Sequence, residues 1–148
     1  MECLTEPRLA AHLARALSAA DADAVEALLD TYRQRLSLGY RDACERFSGH
    51  HEDEPLYTRR RVCLRQRTVA LETVAASLAR PEGWSSETRS QVAGALPSVQ
   101  DCLGAAELQL PALPDDLARR DEVLRLREAV GRFEARWALQ DYDALDEL

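Results

Sequence analysis

The chain contains no lysine, isoleucine or asparagine. All 19 of its basic residues are therefore arginines, a bias typical of GC-rich bacterial genomes. The absence of lysine excludes a phosphate-loop lysine, a Schiff base and a lysine general base. The sequence also lacks a glycine-rich phosphate loop, the H-E-x-x-H and G-x-S-x-G signatures and the kinase catalytic motifs. We therefore expect a protein that binds other molecules, without catalytic activity and without a cofactor.

Aromatic residues are scarce, at 5% of 148 residues, and glycine and proline number six each. Alanine, leucine, arginine and glutamate dominate instead, which is typical of long helices rather than of strands and turns. The length suits one domain with a core of three or more helices. The sequence predicts a single all-α domain over residues 1–148, an antiparallel bundle of five to seven helices.

Positive charge and long apolar runs are also lacking. The net charge is -7, which argues against nucleic acid and anionic membranes as partners. No run approaches the roughly 18 apolar residues of a membrane span, and the first residues do not resemble a secretion signal. We expect a soluble chain that does not insert into a membrane, and both ends suggest a fragment of a longer protein.

Apolar residues recur at helical spacing along most of the chain. The predicted helices cover residues 6–19, residues from Asp21 or Asp23 to Ser48, residues 56–79, residues from Ser85 or Ser86 to Leu96, a short turn or helix from Pro97, and a long final helix capped by Asp115 or Asp116. The stripe of the final helix, which is predicted to pack in the core, is Leu117, Val123, Leu126, Val130, Phe133 and Trp137.

Four cysteines are widely spaced, without the C-x-x-C pair of most structural zinc sites. In an antiparallel hairpin of the second and third helices, residues whose numbers sum to 107 face each other, which aligns two leucine pairs and also Cys44 with Cys63. A disulfide needs a Cα separation of about 5.5–6 Å, so this register predicts a Cys44–Cys63 bridge and leaves Cys3 for Cys102. The alternative is that all four are reduced, buried thiols.

Three further groups of residues are candidate sites. The polar loop over residues 50–54 offers histidine and carboxylate ligands, but contiguous side chains diverge and a solvated turn is the simpler interpretation. On the third helix, Arg59, Arg60 and Arg61 are predicted to lie mostly outward, either as a patch for an acidic partner or as an ion-paired surface. Trp84 precedes the fourth helix and is a candidate exposed binding anchor.

The order and spacing of three strings are similar to a known family: Ala43-Cys44-Glu45, Arg61-Val62-Cys63-Leu64-Arg65-Gln66-Arg67 and Leu96-Pro97-Ser98-Val99-Gln100-Asp101-Cys102. They resemble the helical region between the kinase domain and the tetratricopeptide repeats of bacterial eukaryotic-like serine/threonine protein kinases. Cys3 resembles the cysteine that opens this region. Residues 129–148 look like the beginning of a tetratricopeptide-like repeat, with Gln140-Asp141 where that repeat has a small residue before the tyrosine.

This resemblance implies a sensor or protein-interaction domain of a signalling protein, on the extracytoplasmic (periplasmic) side of a membrane-anchored parent. A protein or peptide is the implied partner. One alternative is a cytoplasmic adaptor with reduced cysteines that binds a peptide in a groove. Another is a small helical enzyme in which Cys44 or Cys63 acts as the nucleophile.

Overall fold

The computed structural model of the protein describes residues 19–80, 85, 87–104 and 111–143. Within these ranges the chain is all-helical and contains no strand, as predicted. The elements are α1 (Ala19–Ser48), α2 (Glu54–Leu78), α3 (Thr88–Ala95), the 3-10 helix η1 (Gln100–Cys102) and α4 (Leu117–Ala138). The helix predicted over residues 6–19 lies outside the described residues.

A tight turn joins α1 to α2 at the predicted polar loop. His50 adopts a left-handed conformation with φ of 58°, and the backbone N–H of His51 donates to the carbonyl of Arg46 at 2.9 Å, which ends α1. Asp53 then caps α2 by accepting a hydrogen bond from the backbone N–H of Leu56 at 2.9 Å. Pro55 lies in the first turn of α2, where its missing N–H has no cost.

The predicted antiparallel arrangement of these two helices is confirmed by contacts along their length. The rings of Phe47 and Tyr57 stack at 4.3 Å beside the turn. Farther from the turn, the hydroxyls of Tyr40 and Thr68 are 3.3 Å apart. Later residues of α2 therefore lie beside earlier residues of α1, so the two helices run in opposite directions. The predicted start of α1 was wrong, because the helix is already formed at Ala19 and its cap cannot be Asp21 or Asp23.

Helix α2 lies at the centre of the fold and packs against α1, α3, η1 and α4. Its buried apolar residues join those of α1 and α3 in one core, as the apolar stripes of both long helices predicted. The most deeply buried of these side chains are Val25, Leu36, Leu64, Leu71, Val74, Leu78 and Val92.

Cys63 is bonded to Cys102, with a Cα separation of 5.5 Å, so the predicted pairing of Cys44 with Cys63 was wrong. The sum of residue numbers gives only the level of two residues along a helix pair, and not the side of the helix from which each points. Cys63 lies on the side of α2 that faces η1. Cys44 is also buried, no described cysteine is a free thiol, and Cys3 lies outside the described residues. The predicted Cys3–Cys102 bridge is excluded as well.

After α2, the chain from α3 to η1 runs back along α2 in the opposite direction, and α4 then runs in the same direction as α2. Asp116, one of the two predicted candidates, caps α4 by accepting a hydrogen bond from the backbone N–H of Arg119 at 2.9 Å. Glu128 of α4 lies beside Arg65, and Asp141 lies beside Ser77, so α4 runs parallel to α2. The bundle is therefore antiparallel only in part, because α3 reverses the chain before α4 begins. Within the described ranges, no helix is both long and apolar enough to cross a membrane.

The hydroxyl of Tyr32 connects α1 to the segment before η1 by donating to the carbonyl of Pro97 at 2.7 Å. Burial raises the pKa of Tyr32 above its ordinary value. We expect Tyr32→Phe to lower the free energy of unfolding by about 1 kcal/mol at neutral pH. The folded protein holds the phenolic proton more tightly than the unfolded chain, so this stabilisation is present below roughly pH 10 and is lost as the pH rises further.

Urea unfolding of wild type and Tyr32→Phe from pH 7 to 11 measures this effect, and the difference between the two should shrink above about pH 10. Tyr142→Phe is the matched control, because its ring is half exposed. A constant difference across the whole pH range, or an equal effect of the control, would contradict the assignment.

Candidate functional site

The final helix exposes its largest apolar side chains. Leu126, Val130, Phe133 and Trp137 are between 46% and 60% exposed, and Leu117 is exposed at 71%. The prediction that this stripe packs in the core was therefore wrong for these five residues, Trp137 included, whereas Val123 of the same stripe is half-buried. A contiguous exposed apolar surface is unusual on a small monomeric protein and marks an interaction site more often than isolated exposed residues do.

The opposite side of α4 packs against α2 through small residues. Ala135 is buried, and a Cβ atom added to Gly131 would lie 3.9 Å from the carbonyl oxygen of Gln66 and 3.9 Å from a methyl group of Val69. Glycine and alanine allow the two helix backbones to approach closely. The sequence pattern shows that α4 has one side with large apolar residues and one with small residues. In the fold, the side with Gly131 and Ala135 packs in the core.

The exposed side chains form a continuous row. Positions 126, 130, 133 and 137 follow the spacing of four, three and four residues that keeps side chains on one side of a helix. The rings of Phe133 and Trp137 are 6.0 Å apart and nearly parallel, and Tyr142 meets Trp137 edge-on at 5.6 Å. We call Leu126, Val130, Phe133, Trp137 and Tyr142 the α4 apolar face.

Polar contacts fix α4 to α2 at two levels, so the α4 apolar face has a defined orientation. Glu128 accepts a hydrogen bond from Arg65 at 3.0 Å. Burial lowers the pKa of Arg65, whereas the hydrogen bond with Glu128 and the negative charges of Glu128 and Glu72 raise it, and the pKa is raised overall. Beyond the end of α4, Asp141 accepts from the hydroxyl of Ser77 at 2.6 Å and pairs with Arg80.

The charge of α4 differs in sign from that of the whole chain. The helix carries six arginines and four acidic residues, a net charge of +2, whereas the chain carries -7. Arg120, Arg127 and Glu128 line a cleft on another side of the helix, and the remaining four arginines and three acidic residues still leave a net charge of +1. A partner that lies along the α4 apolar face therefore meets locally positive charge, which favours acidic groups beside its apolar contacts.

Of the arginine patch predicted on α2, Arg60 is not at the surface. Its side chain is 1% exposed and pairs with Glu52, whose side chain is 5% exposed, at 2.5 Å. It also donates to the carbonyl of Cys102 at 3.1 Å and to that of Leu103. The prediction that Arg60 points outward with its neighbours was wrong. Its buried guanidinium binds the carboxylate of Glu52, from the turn between α1 and α2, and the carbonyls at the end of η1.

The other members of the predicted patch are separated from one another. Arg59 is half-buried, whereas Arg61 is exposed and lines a cleft between α2 and α4. Trp84 lies outside the described residues, so its predicted role as an anchor remains a prediction. Among the described residues, no group of three or more histidine, cysteine, aspartate or glutamate side chains is placed to hold a metal ion. Glu52 of the polar loop binds Arg60 instead.

Compared with known proteins, the chain matches no family model, no curated protein and no solved structure.

Proposed function

We propose that this chain is a non-enzymatic protein-interaction or sensor domain, and that its α4 apolar face binds an amphipathic helix of a partner protein. The observation that carries the proposal is the exposure of Phe133, Trp137 and Tyr142 in one aromatic row. Aromatic residues at the centre of an apolar patch supply much of the binding energy of protein interfaces. Burying them against a partner removes a large apolar area from water.

A helix is the partner structure that best suits this surface. The apolar positions of α4 repeat every three or four residues along about three turns, which is the seam that two packed helices share. A partner helix with its own apolar stripe would fit beside this row. Because α4 is locally basic, acidic residues along the edges of that stripe would strengthen the attraction.

The wider context of the proposal rests on the resemblance to the region between the kinase and the repeats of bacterial serine/threonine kinases. We propose an extracytoplasmic domain of such a signalling protein, with five to seven helices and a tetratricopeptide-like repeat beginning within residues 129–148. The Cys63–Cys102 bridge supports an oxidising compartment, since stable disulfides are rare in the cytosol. It also speaks against Cys63 as a nucleophile, because a bonded sulfur carries no thiolate.

A synthetic amphipathic helix tests the α4 apolar face directly. We expect a labelled 18-residue peptide with a leucine stripe flanked by glutamates to bind the wild-type domain, measured by fluorescence anisotropy. Phe133→Gln and Trp137→Gln should each weaken binding by about tenfold or more, because each removes an aromatic contact at the centre of the face. The same peptide with lysine flanks should bind more weakly.

Leu38→Gln is the matched control, because Leu38 is an equally exposed apolar residue on α1. All three variants should retain the thermal unfolding midpoint of the wild type, since the replaced side chains are at least 46% exposed. Equal weakening by Leu38→Gln, or no effect of Trp137→Gln, would remove the α4 apolar face as the binding surface. Sedimentation of the wild type as a dimer that Trp137→Gln dissociates would replace the proposed partner by a second copy of the chain.

A further inference from the structure

A cleft of about 650 Å³ lies between α2 and the N-terminal half of α4, on a different side of α4 from its apolar face. Tyr40 of α1 and Leu113, from the segment before α4, complete its walls. This volume falls within the roughly 300–1,000 Å³ of small-molecule binding sites. The cleft is therefore large enough for a ligand the size of a metabolite.

The cleft concentrates positive charge within an acidic protein. Its lining includes Arg61 and Arg65 from α2 and Arg120 and Arg127 from α4, against two glutamates, Glu72 and Glu128. The lining thus has a net charge of +2, whereas the whole chain has -7. Both glutamates form ion pairs with Arg65, at 3.6 Å and 3.0 Å, and not with the other three arginines of the lining.

The other three arginines make contacts that leave their charge uncompensated. Arg120 donates from Nε to the carbonyl of Pro114 at 3.1 Å, and Arg127 donates from Nη2 to the carbonyl of Pro111 at 3.1 Å. The guanidinium of Arg61 lies over the ring of Tyr57, 5.7 Å from its centre. In the described part of the chain, none of these three arginines has a carboxylate partner. The neutral contacts hold each guanidinium in place and leave further N–H groups available for a ligand.

Apolar and hydroxyl groups share the cleft with the arginines. One wall of the cleft is apolar and consists of Val62, Leu113 and Leu124. The hydroxyls of Tyr40 and Thr68 lie beside it. The hydroxyl of Thr68 donates to the carbonyl of Leu64 at 3.0 Å, so the hydroxyl of Tyr40, 3.3 Å from that of Thr68, donates to it, and the arginines are left as the donors for a ligand. A ligand that matches this lining has one apolar part and one part with accepting, negatively charged oxygens.

We propose that the cleft between α2 and α4 binds a small organic oxyanion, a phosphate monoester or a carboxylate with an apolar body. Arg61, Arg120 and Arg127 contact the charged group from both helices, as guanidinium forks do with oxyanions. The cleft and the α4 apolar face involve different sides of α4, so the ligand site holds whether or not that face binds a partner. If the cleft binds a ligand and the α4 apolar face binds a partner, the ligand stabilises the position of α4 in which the cleft is formed.

Isothermal titration calorimetry with three small probes tests the site. We expect phenyl phosphate or phenylacetate to bind with one site per chain, and benzyl alcohol, which lacks the charge, to show no binding under the same conditions. Phenyl phosphate alone would identify a phosphate ligand, and phenylacetate alone a carboxylate. Absence of binding by both anions at millimolar concentration, or equal binding of benzyl alcohol, would overturn the proposal.

Two variants locate the binding within the cleft. Arg127→Gln and Arg61→Gln, on opposite walls, should each weaken the anion that binds by about tenfold or more. The matched control is Arg125→Gln, which removes the same charge from an exposed position of α4 outside the cleft lining. Similar weakening by all three variants would indicate diffuse attraction and would also overturn the proposal. Circular dichroism should show that each variant remains folded.

Discussion

Replacing both Cys63 and Cys102 by alanine is expected to lower the free energy of unfolding by about 4 kcal/mol. The bridge closes a loop of 39 residues that runs from the middle of α2 to η1. Cutting it allows the unfolded chain many more conformations, and this gain in entropy grows with the logarithm of the loop length. The loss is a large share of the roughly 5–15 kcal/mol by which most domains are stable.

Urea unfolding of the wild type and the double variant measures this loss. A non-reducing tryptic map provides an independent check of the pairing. Cleavage after arginine should give a peptide of residues 62–65 joined to one of residues 90–119. A change below about 1 kcal/mol, or a peptide of residues 42–46 joined to residues 62–65, would contradict the Cys63–Cys102 bridge. Free thiols at all four cysteines would instead support the cytoplasmic alternative.

Arg60→Met is expected to destabilise the domain by about 3–5 kcal/mol. The substitution leaves the carboxylate of Glu52 buried without its positive partner. One oxygen of this carboxylate already lacks a hydrogen-bond partner among the described residues, so its charge depends on Arg60. The carbonyls of Cys102 and Leu103 lose their donor as well, and an unsatisfied buried acceptor carries its own cost.

Arg61→Met is the matched control, because Arg61 is the next residue and is exposed. We expect it to change the free energy of unfolding by less than about 1 kcal/mol, since its contact with the ring of Tyr57 is at the surface. Adding Glu52→Gln to Arg60→Met should recover part of the loss, since the buried charge is then removed, with a coupling of about 1–3 kcal/mol. If Arg60→Met lowers the free energy of unfolding no more than Arg61→Met does, the buried pair does not stabilise the fold. The same conclusion follows if the double variant loses the full sum of the two single losses.

The sequence by itself determined the elements of this protein that depend on local interactions. Helix spacing predicted α2 to within two residues at its start and one residue at its end. The preference for a polar side chain that accepts from backbone N–H groups predicted Asp115 or Asp116 as the cap of α4, and the cap is Asp116. The turn between α1 and α2 follows from its glycine and proline. The pattern also gave the antiparallel arrangement of α1 and α2, because a short turn between two long helices permits little else.

Only the tertiary structure decided which side of α4 faces the core. Apolar periodicity shows that α4 has a distinct side, yet α2 packs closely against the small-residue side and leaves Phe133 and Trp137 in solvent. The pairing of Cys63 with Cys102 and the burial of Arg60 depend on where η1 comes to lie, more than 35 residues away along the chain. Such long-range contacts are set by the packing of all the helices together, and no local pattern encodes them.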